Sequence, residues 1–343
     1  MKLTEQKNLV GMKIFALIIA ATSIYLVQGT RRIGYLTTLN PRWHPNWHLV
    51  NTINCGTQYE NLNYTDVPEL TTASRNALRG EYPWTVLITI QINATAEKSD
   101  EFKDCMGTII TKRYVLTASS CFTIFGTDPV IPSSVRIRAG QVTMDTHCDI
   151  YTRCYPDGQY YYAESVKFNF ANKPAQEGKN IALIKISRDI IFDDFVAPVC
   201  LEHNTLLEQD YYGEDAIRVS GWGINAPVRN NSWYSKLLTS QVKVLTEKQN
   251  DVVYNILPST FRSVENYATY FCVGSPSNET QLDVDAGGPL VVKRLIAKDG
   301  FARFYLFGIL SFKASIFLPP YGSVNVYTKV RSYFEWILTN IDA

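Results

Sequence analysis

From Trp84 onward the sequence is divided into short runs rich in β-branched and aromatic residues, each bounded by Gly, Pro, Asn, Asp or Ser. Many short strands separated by turn residues are typical of an all-β sandwich or barrel. The runs are Trp84–Ile92, Thr108–Ile110, Tyr114–Thr117, Val135–Arg138, Ile181–Ile186, Ile217–Val219, Leu237–Leu245, Leu290–Val292, Tyr305–Ser311 and Val324–Val330.

The end of the chain has a different period. From Val330 to Ile341 the apolar residues fall at helical spacing, which predicts a C-terminal amphipathic helix. Hydrophobic residues make up 46% of the chain, enough for a packed core, so a disordered protein is excluded. The net charge of +1 gives no electrostatic reason to expect nucleic acid or an anionic membrane as a partner.

The N-terminus carries a targeting pattern. Lys2, Lys7 and Lys13 lead into an apolar stretch from Ile14 to Val27. This pattern predicts a signal peptide over residues 1–29, and hence a secreted, extracellular protein that does not bind membranes once the signal is removed. An uncleaved signal anchor is the alternative, although the stretch is shorter than the roughly 20 residues that span a bilayer.

The mature chain is predicted to pass through an oxidising compartment. Its seven cysteines agree with this, and Asn-X-Ser/Thr triplets behind a signal peptide are candidate glycosylation sites. The triplets begin at Asn63, Asn93, Asn230 and Asn278. Residues 30–70 show no clear period, so we expect an N-terminal extension, which carries Cys55.

Several motifs occur in one order along residues 71–343, and together they resemble the trypsin family of serine proteases. The similarity is greatest to insect clip-type proteases and their inactive homologues, although no clip domain is recognisable. The resemblance implies an all-β fold of two packed six-stranded antiparallel β-barrels with a C-terminal α-helix. The motifs are Gly80–Trp84, Cys105–Ile110, Val115–Cys121, Asn180–Ile184, Pro198–Leu201, Val219–Gly223, Asp285–Leu290 and Val326–Val330.

The resemblance also assigns the catalytic positions, and each holds a different residue from the active family members. Ser120 stands at the imidazole position, Asn180 at the carboxylate position and Ala286 at the nucleophile position. Alanine has no group that attacks a carbonyl, and a serine hydroxyl is not a base near neutral pH. We therefore expect no catalytic residue, no cofactor and no metal.

The surrounding machinery is altered as well. The resemblance places Val284 where the family has the oxyanion-hole glycine, and a β-branched residue resists the backbone angles needed there. Thr280 stands at the floor of the specificity pocket. Lys313 and Asn325 replace glycines of its wall, and their bulk is expected to fill it.

Activation by cleavage is not expected either. Family members are cut after a basic residue, and the new N-terminus docks on the acid beside the nucleophile. Here the junction falls at Leu70–Ser74, which has no basic residue before the cut. We expect an uncut chain, in which Asp285 makes another hydrogen bond or stays hydrated. Asp285, Gly287 and Gly288 are then explained by turn geometry and packing.

The family's disulfides imply the pairs Cys105–Cys121, Cys55–Cys200 and Cys148–Cys154. Cys272 lacks its usual partner, because the expected site falls near Asn250. A buried thiol and an intermolecular disulfide are the two alternatives for Cys272.

A pair of histidines and a run of three tyrosines are candidate binding sites. His44 and His48 are four residues apart, but Pro45 disfavours the helix that would align them on a metal. Tyr160–Tyr162 could be an exposed docking patch, although part of a loop and strand that packs partly inward is favoured.

These observations favour a secreted, non-catalytic protease homologue that acts by binding protein, with an active protease or another cascade component as the candidate partner. The expected setting is an extracellular proteolytic, immune or reproductive-secretion pathway. Residual serine-type endopeptidase activity by unrecognised chemistry is one alternative. A structural or adhesive extracellular protein is the other.

Overall fold

Two β-barrels, each closed by six antiparallel strands, make up most of the computed structural model, as the sequence predicts. The described residues are 40–62, 74–92, 101–122, 132–143, 158–169, 179–212, 217–222, 236–262, 268–274, 285–295, 300–319 and 322–343. They belong to one unit, Asn40–Ala343.

The first barrel closes in the order β2-β3-β4-β7-β6-β5. Its interior is apolar and tightly packed: a Cβ on Gly107 would lie only 2.6 Å from Val115 and 2.8 Å from Ile88. The strands are β2 (Thr85–Ile92), β3 (Glu101–Ile109), β4 (Tyr114–Thr117), β5 (Val135–Ala139), β6 (Gln159–Phe168) and β7 (Ala182–Ile186).

The second barrel runs β10-β11-β14-β13-β12-β9 and closes through the β9–β10 pairing. Stacked rings fill its centre, with the Phe271 centroid 5.4 Å from Phe307 and 6.1 Å from Tyr327. The strands are β9 (Ile217–Gly221), β10 (Leu238–Val244), β11 (Tyr270–Gly274), β12 (Pro289–Leu295), β13 (Ala302–Phe317) and β14 (Ser323–Lys329).

Two short strands complete this sheet. β1 (Ser74–Asn76) pairs antiparallel with β10, and β8 (Cys200–Leu201) pairs parallel with β13. Each of the ten predicted runs overlaps a strand, although Thr108–Ile110 covers only the end of β3. The strands β1, β6, β8 and β11 were not among the predicted runs. Tyr160–Tyr162 belongs to β6 and points both ways: Tyr161 is buried while its two neighbours are exposed.

Two α-helices flank the barrels in the described part of the chain. α1 (Glu247–Ile256) begins with a capping box, in which Gln249 N–H donates to Thr246 Oγ1 and Thr246 N–H donates to Gln249 Oε1. α2 (Phe334–Thr339) follows a 3-10 turn, Val330–Tyr333, and confirms the predicted terminal helix. None of the helices described here has the length and apolarity to cross a bilayer.

The described part of the extension, residues 40–62, packs along the second barrel. A Cys55–Cys200 disulfide joins it to β8, as the resemblance implied. Asn51 forms two hydrogen bonds with the backbone of Leu201, at 2.6 and 2.8 Å. Asn46 Nδ2 donates to the carbonyls of Leu338 and Ile341, so it satisfies acceptors at the end of α2.

A buried ion pair fixes the loop after β8 to the turn before α2. Glu202 is fully buried, and both of its carboxylate oxygens accept from the guanidinium of Arg331. Tyr211 OH donates to the same carboxylate at 2.7 Å. Burial raises the pKa of Glu202, while the guanidinium opposes that rise. The carboxylate is therefore tolerated inside the protein because Arg331 compensates it.

Removing Arg331 should strongly destabilise the fold, because it leaves an unpaired carboxylate with no solvent access. We expect Arg331→Met to lower the free energy of unfolding in urea by about 3 kcal/mol at neutral pH. The loss should be smaller at acidic pH. Without Arg331, the Glu202 carboxyl has a higher pKa in the folded than in the unfolded variant. The variant is therefore least destabilised at acidic pH, where this carboxyl is protonated in both states, and loses stability as the pH rises through the two pKa values.

Asp189→Asn is the matched control, because it breaks an exposed ion pair with Lys112 whose side chains are 55% and 53% exposed. It should change the unfolding free energy little. An equal loss in both variants would contradict the assignment of Glu202 and Arg331 as the stabilising pair.

Candidate functional site

The side chain of Asn180 joins the two barrels at the expected catalytic centre. It lies just before β7 and is 2% exposed. Its Oδ1 accepts from Ser119 Oγ at 3.0 Å and from Ser120 N–H at 2.8 Å, both on the first barrel. Its Nδ2 donates across to Ser311 Oγ at 2.8 Å on β13. An amide can do this because it offers an acceptor and two donors without charge.

The backbone of Asn180 is held from the second barrel too. Thr328 Oγ1 donates to its carbonyl at 3.2 Å, and its N–H lies 3.4 Å from Tyr270 OH. Ser119, Ser311, Tyr270 and Thr328 were not identified from the sequence. They come from four distant segments, so no local pattern could have brought them together.

Ser120 lies in a 3-10 turn, Ser119–Cys121, directly after β4. Its Oγ is 3.1 Å from Asn180 Nδ2 and its carbonyl accepts from Lys103 Nζ at 2.8 Å. Burial lowers the pKa of Lys103 below its ordinary value. The structure therefore brings Ser120 and Asn180 together as predicted, and it adds an amine that sequence reasoning missed.

Ala286 sits on a turn held against the first barrel. Its carbonyl accepts from Met106 N–H at 2.9 Å. Gly287 follows with φ of 83°, and a Cβ there would lie 2.2 Å from both Met106 O and Thr117 Oγ1. This turn needs glycine for steric reasons alone. The Ala286 side chain at this turn is a half-buried methyl group.

Asp285 is 1% exposed, so it is not hydrated by bulk solvent, in contrast to one of the two expectations. Its carbonyl accepts from Gly288 N–H at 2.9 Å, which closes the turn.

The two predicted pocket-wall residues face each other across β13 and β14, where Lys313 pairs with Asn325. Asn325 is buried, but Lys313 is exposed. Lys313 therefore reaches solvent, and the filling of the pocket by these two side chains stays a prediction. The register of β13 shifts on either side of this pair, which sequence alternation does not reveal.

Cys272 is a buried thiol, the first of the two alternatives. It is 4% exposed, and burial raises its pKa to about 12. Asn250, near the predicted partner position, accepts from Cys272 N–H through Oδ1 at 2.9 Å. The other disulfide in the described residues is Cys105–Cys121, again one of the implied pairs.

Several predicted positions lie outside the described residues. They are Val284, Thr280, Cys148, Cys154, residues 1–39, residues 70–73 and the four triplet asparagines Asn63, Asn93, Asn230 and Asn278.

His44 and His48 do not converge on one point. His44 Nδ1 accepts from Asn46 N–H at 3.1 Å, and His48 Nδ1 is 2.7 Å from Pro45 O. Within the described ranges, no three His, Cys, Asp or Glu side chains are placed to hold a metal ion.

Replacing the Asn180 amide with a carboxylate should weaken the junction. Asn180→Asp loses both N–H donors and sets a buried anion 3.1 Å from the Ser311 carbonyl. We expect a loss of about 2 kcal/mol in the free energy of unfolding, measured in urea, and a smaller loss at acidic pH where the carboxyl is protonated. Asn61→Asp, at an exposed site, is the control. No difference between the two variants would refute the role of the amide.

The thiol of Cys272 should not react in the folded protein. At pH 8 it is protonated and inaccessible, so iodoacetamide should leave its peptide unmodified until urea unfolds the chain. Peptide mapping by mass spectrometry measures this. Rapid alkylation of the native protein, or a dimer that dithiothreitol reduces to monomer, would contradict the burial of the Cys272 thiol.

Comparison with known proteins agrees with this geometry and with the predicted resemblance. The chain is 29% identical to the CLIP domain-containing serine protease HP8 of Bombyx mori over 69% of its length, and the match spans 62% of that relative. It is 28% identical to phenoloxidase-activating factor 3 of Holotrichia diomphalia, over 76% of this chain and 70% of the relative.

A solved structure shares the fold. The Drosophila Grass clip serine protease of the Toll pathway superimposes with a TM-score of 0.60 at 22% identity, over 84% of this chain and 74% of that one. The Trypsin family profile matches residues 72–337. The chain therefore belongs to the trypsin family.

Proposed function

We propose that this protein is a secreted, non-catalytic member of its family that acts by binding a protein partner. In this proposal it regulates, or serves as a cofactor for, an active protease or another component of an extracellular cascade. The N-terminal signal pattern and the two disulfides of the described chain support secretion.

The Asn180 network is the observation that carries the proposal. An active site of this family needs a base that takes a proton from a hydroxyl, and a carboxylate that orients the base. Here Ser120 and Asn180 form a neutral, hydrogen-bonded pair, and the third position holds Ala286. In this proposal these groups stabilise the contact between the barrels, since neither the Ser120 hydroxyl nor the Asn180 amide is a base that activates a nucleophile.

The relatives support the setting of the proposal. Phenoloxidase-activating factor 3 and the spaetzle-processing enzyme of Drosophila melanogaster carry names that place them in proteolytic activation. A homologue that keeps the fold of such proteins without protease chemistry is suited to act by binding a component of a similar pathway.

Residual activity is the alternative that one contact favours. Lys103 lies beside Ser120, and an amine of lowered pKa is a possible base for a serine. The Lys103 ammonium donates to the Ser120 carbonyl, however, and this hydrogen bond stabilises the protonated amine. Lys103 can act as a base only after it has lost that proton. A structural or adhesive role is a further alternative. That role would use the N-terminal extension as the binding part. Residues 40–62 are instead packed along the second barrel as part of the folded unit, which argues against a structural or adhesive role.

Restoring the missing hydroxyl alone should not restore catalysis. We expect Ala286→Ser to show no peptidase activity above the wild-type background on fluorogenic peptide substrates, because the base and its orienting carboxylate are still absent. Clear turnover by this variant would mean that the assigned Ser120 and Asn180 positions are wrong.

A fluorophosphonate probe tests the alternative directly. The folded wild-type protein should remain unlabelled. Labelling that is lost on heat denaturation and in Lys103→Met would establish serine chemistry and overturn the proposed function.

A further inference from the structure

An unusual surface lies on the outer side of the first barrel, where aromatic rings and guanidinium groups alternate. Phe102, Tyr160 and Tyr162 are 48%, 45% and 53% exposed. On β5 and β6, Arg136 stands directly opposite Tyr162 and Arg138 opposite Tyr160. We call these five residues the arginine–tyrosine face. Large rings are seldom left this exposed side by side, and such patches mark interaction sites.

Contacts within and around the face order Arg136, Phe102 and the Tyr160 hydroxyl. The Arg136 guanidinium lies 5.3 Å from the ring centroid of Phe102. Gln141 Nε2 donates to Tyr160 OH at 3.2 Å, and Arg188 donates to Tyr160 O at 3.0 Å, which brings a third guanidinium to the edge. Side chains that are already ordered lose little entropy when a ligand binds.

Among the described residues, the charges at the centre of the face are the guanidinium groups of Arg136 and Arg138. The carboxylate of Asp104 lies at one end and accepts from Thr89 Oγ1 at 2.6 Å. Glu164, further along β6, is engaged by Arg113 at 2.5 Å and by Lys185 at 3.4 Å. Neither carboxylate forms an ion pair with Arg136 in the described part of the chain. A partner with negative charge is therefore complementary to this face.

We propose that the arginine–tyrosine face binds an acidic peptide segment of a protein partner, in which carboxylates flank an apolar or aromatic side chain. Guanidinium groups bind carboxylates with two parallel hydrogen bonds, and exposed tyrosines offer flat apolar area with a polar edge. Arginine and tyrosine are the residue types that dominate protein interfaces. A site for a sulfated polysaccharide needs only the cations and would not require three exposed rings.

This inference rests on the proposed function, since it assigns the surface by which a binding protein meets its partner. The probe is a short fluorescein-labelled peptide of alternating Glu and Gly around one Phe, and the same peptide with Gln for Glu. Fluorescence anisotropy measures binding to the full chain at low and at physiological salt.

Arg136→Glu with Arg138→Glu should weaken binding about 30-fold or more, and Tyr160→Ser with Tyr162→Ser should weaken it by a similar factor. The matched control is Lys248→Glu with Lys293→Glu, two exposed lysines, on α1 and β12, that give the same change in net charge. Its affinity should stay within about threefold of the wild type, because distant charges are screened. Circular dichroism and urea unfolding verify that each variant is folded.

Loss of binding only in the two face variants, together with a Gln peptide that does not bind, supports the proposal. Three results overturn it: no binding of the acidic peptide, equal loss in the lysine control, or tight heparin binding that the tyrosine variants leave unchanged. Fluorophosphonate labelling of the same preparations tests the proposed function separately, so the two can fail independently.

Discussion

The hydrogen bonds of one amide, Asn180, hold together the region where the two barrels meet. Oδ1 binds two groups of the segment after β4, Nδ2 reaches β13, and the backbone carbonyl accepts from β14. All of this lies in a nearly dry environment, where an unpaired donor or acceptor costs about 1–3 kcal/mol. A carboxylate in the same place would need a cation. Beside Ser120, the neutral Asn180 amide pairs with the surrounding donors and acceptors and buries no net charge.

The turn around Ala286 is kept in position for a related reason. Gly287 fits between β3 and β4 only without a side chain, and the Ala286 carbonyl receives a hydrogen bond from Met106. These constraints are steric and do not require a nucleophile. The geometry of this turn therefore does not depend on a nucleophile at position 286, which agrees with the proposal of a non-catalytic binding protein.

Strands with clear alternation and flanking turn residues were predictable, and so was the terminal helix. α1 was missed although its capping box, Thr246 to Gln249, is visible in the sequence, because its apolar positions are few. β6 was not among the predicted strand runs, because tyrosines on its exposed side obscure the alternation of polar and apolar residues. The sequence favours only a loop and strand packing partly inward at Tyr160–Tyr162, which is part of β6. The register shifts of β13 on either side of Lys313 were not predictable, because alternation within one strand does not show where its pairing with β14 slips.

The sequence by itself determined the chemical identities, an alanine at position 286, a serine at 120 and an asparagine at 180, and the short β-rich runs that are typical of an all-β sandwich or barrel. Only the tertiary structure decided which groups meet. Asn180 contacts Ser311 across 131 residues, and Asn250 takes the place beside Cys272 that a second cysteine would fill. Arg136 and Tyr162 become neighbours only through the register of β5 and β6. Such contacts depend on strand pairing between distant segments, which local sequence patterns do not encode.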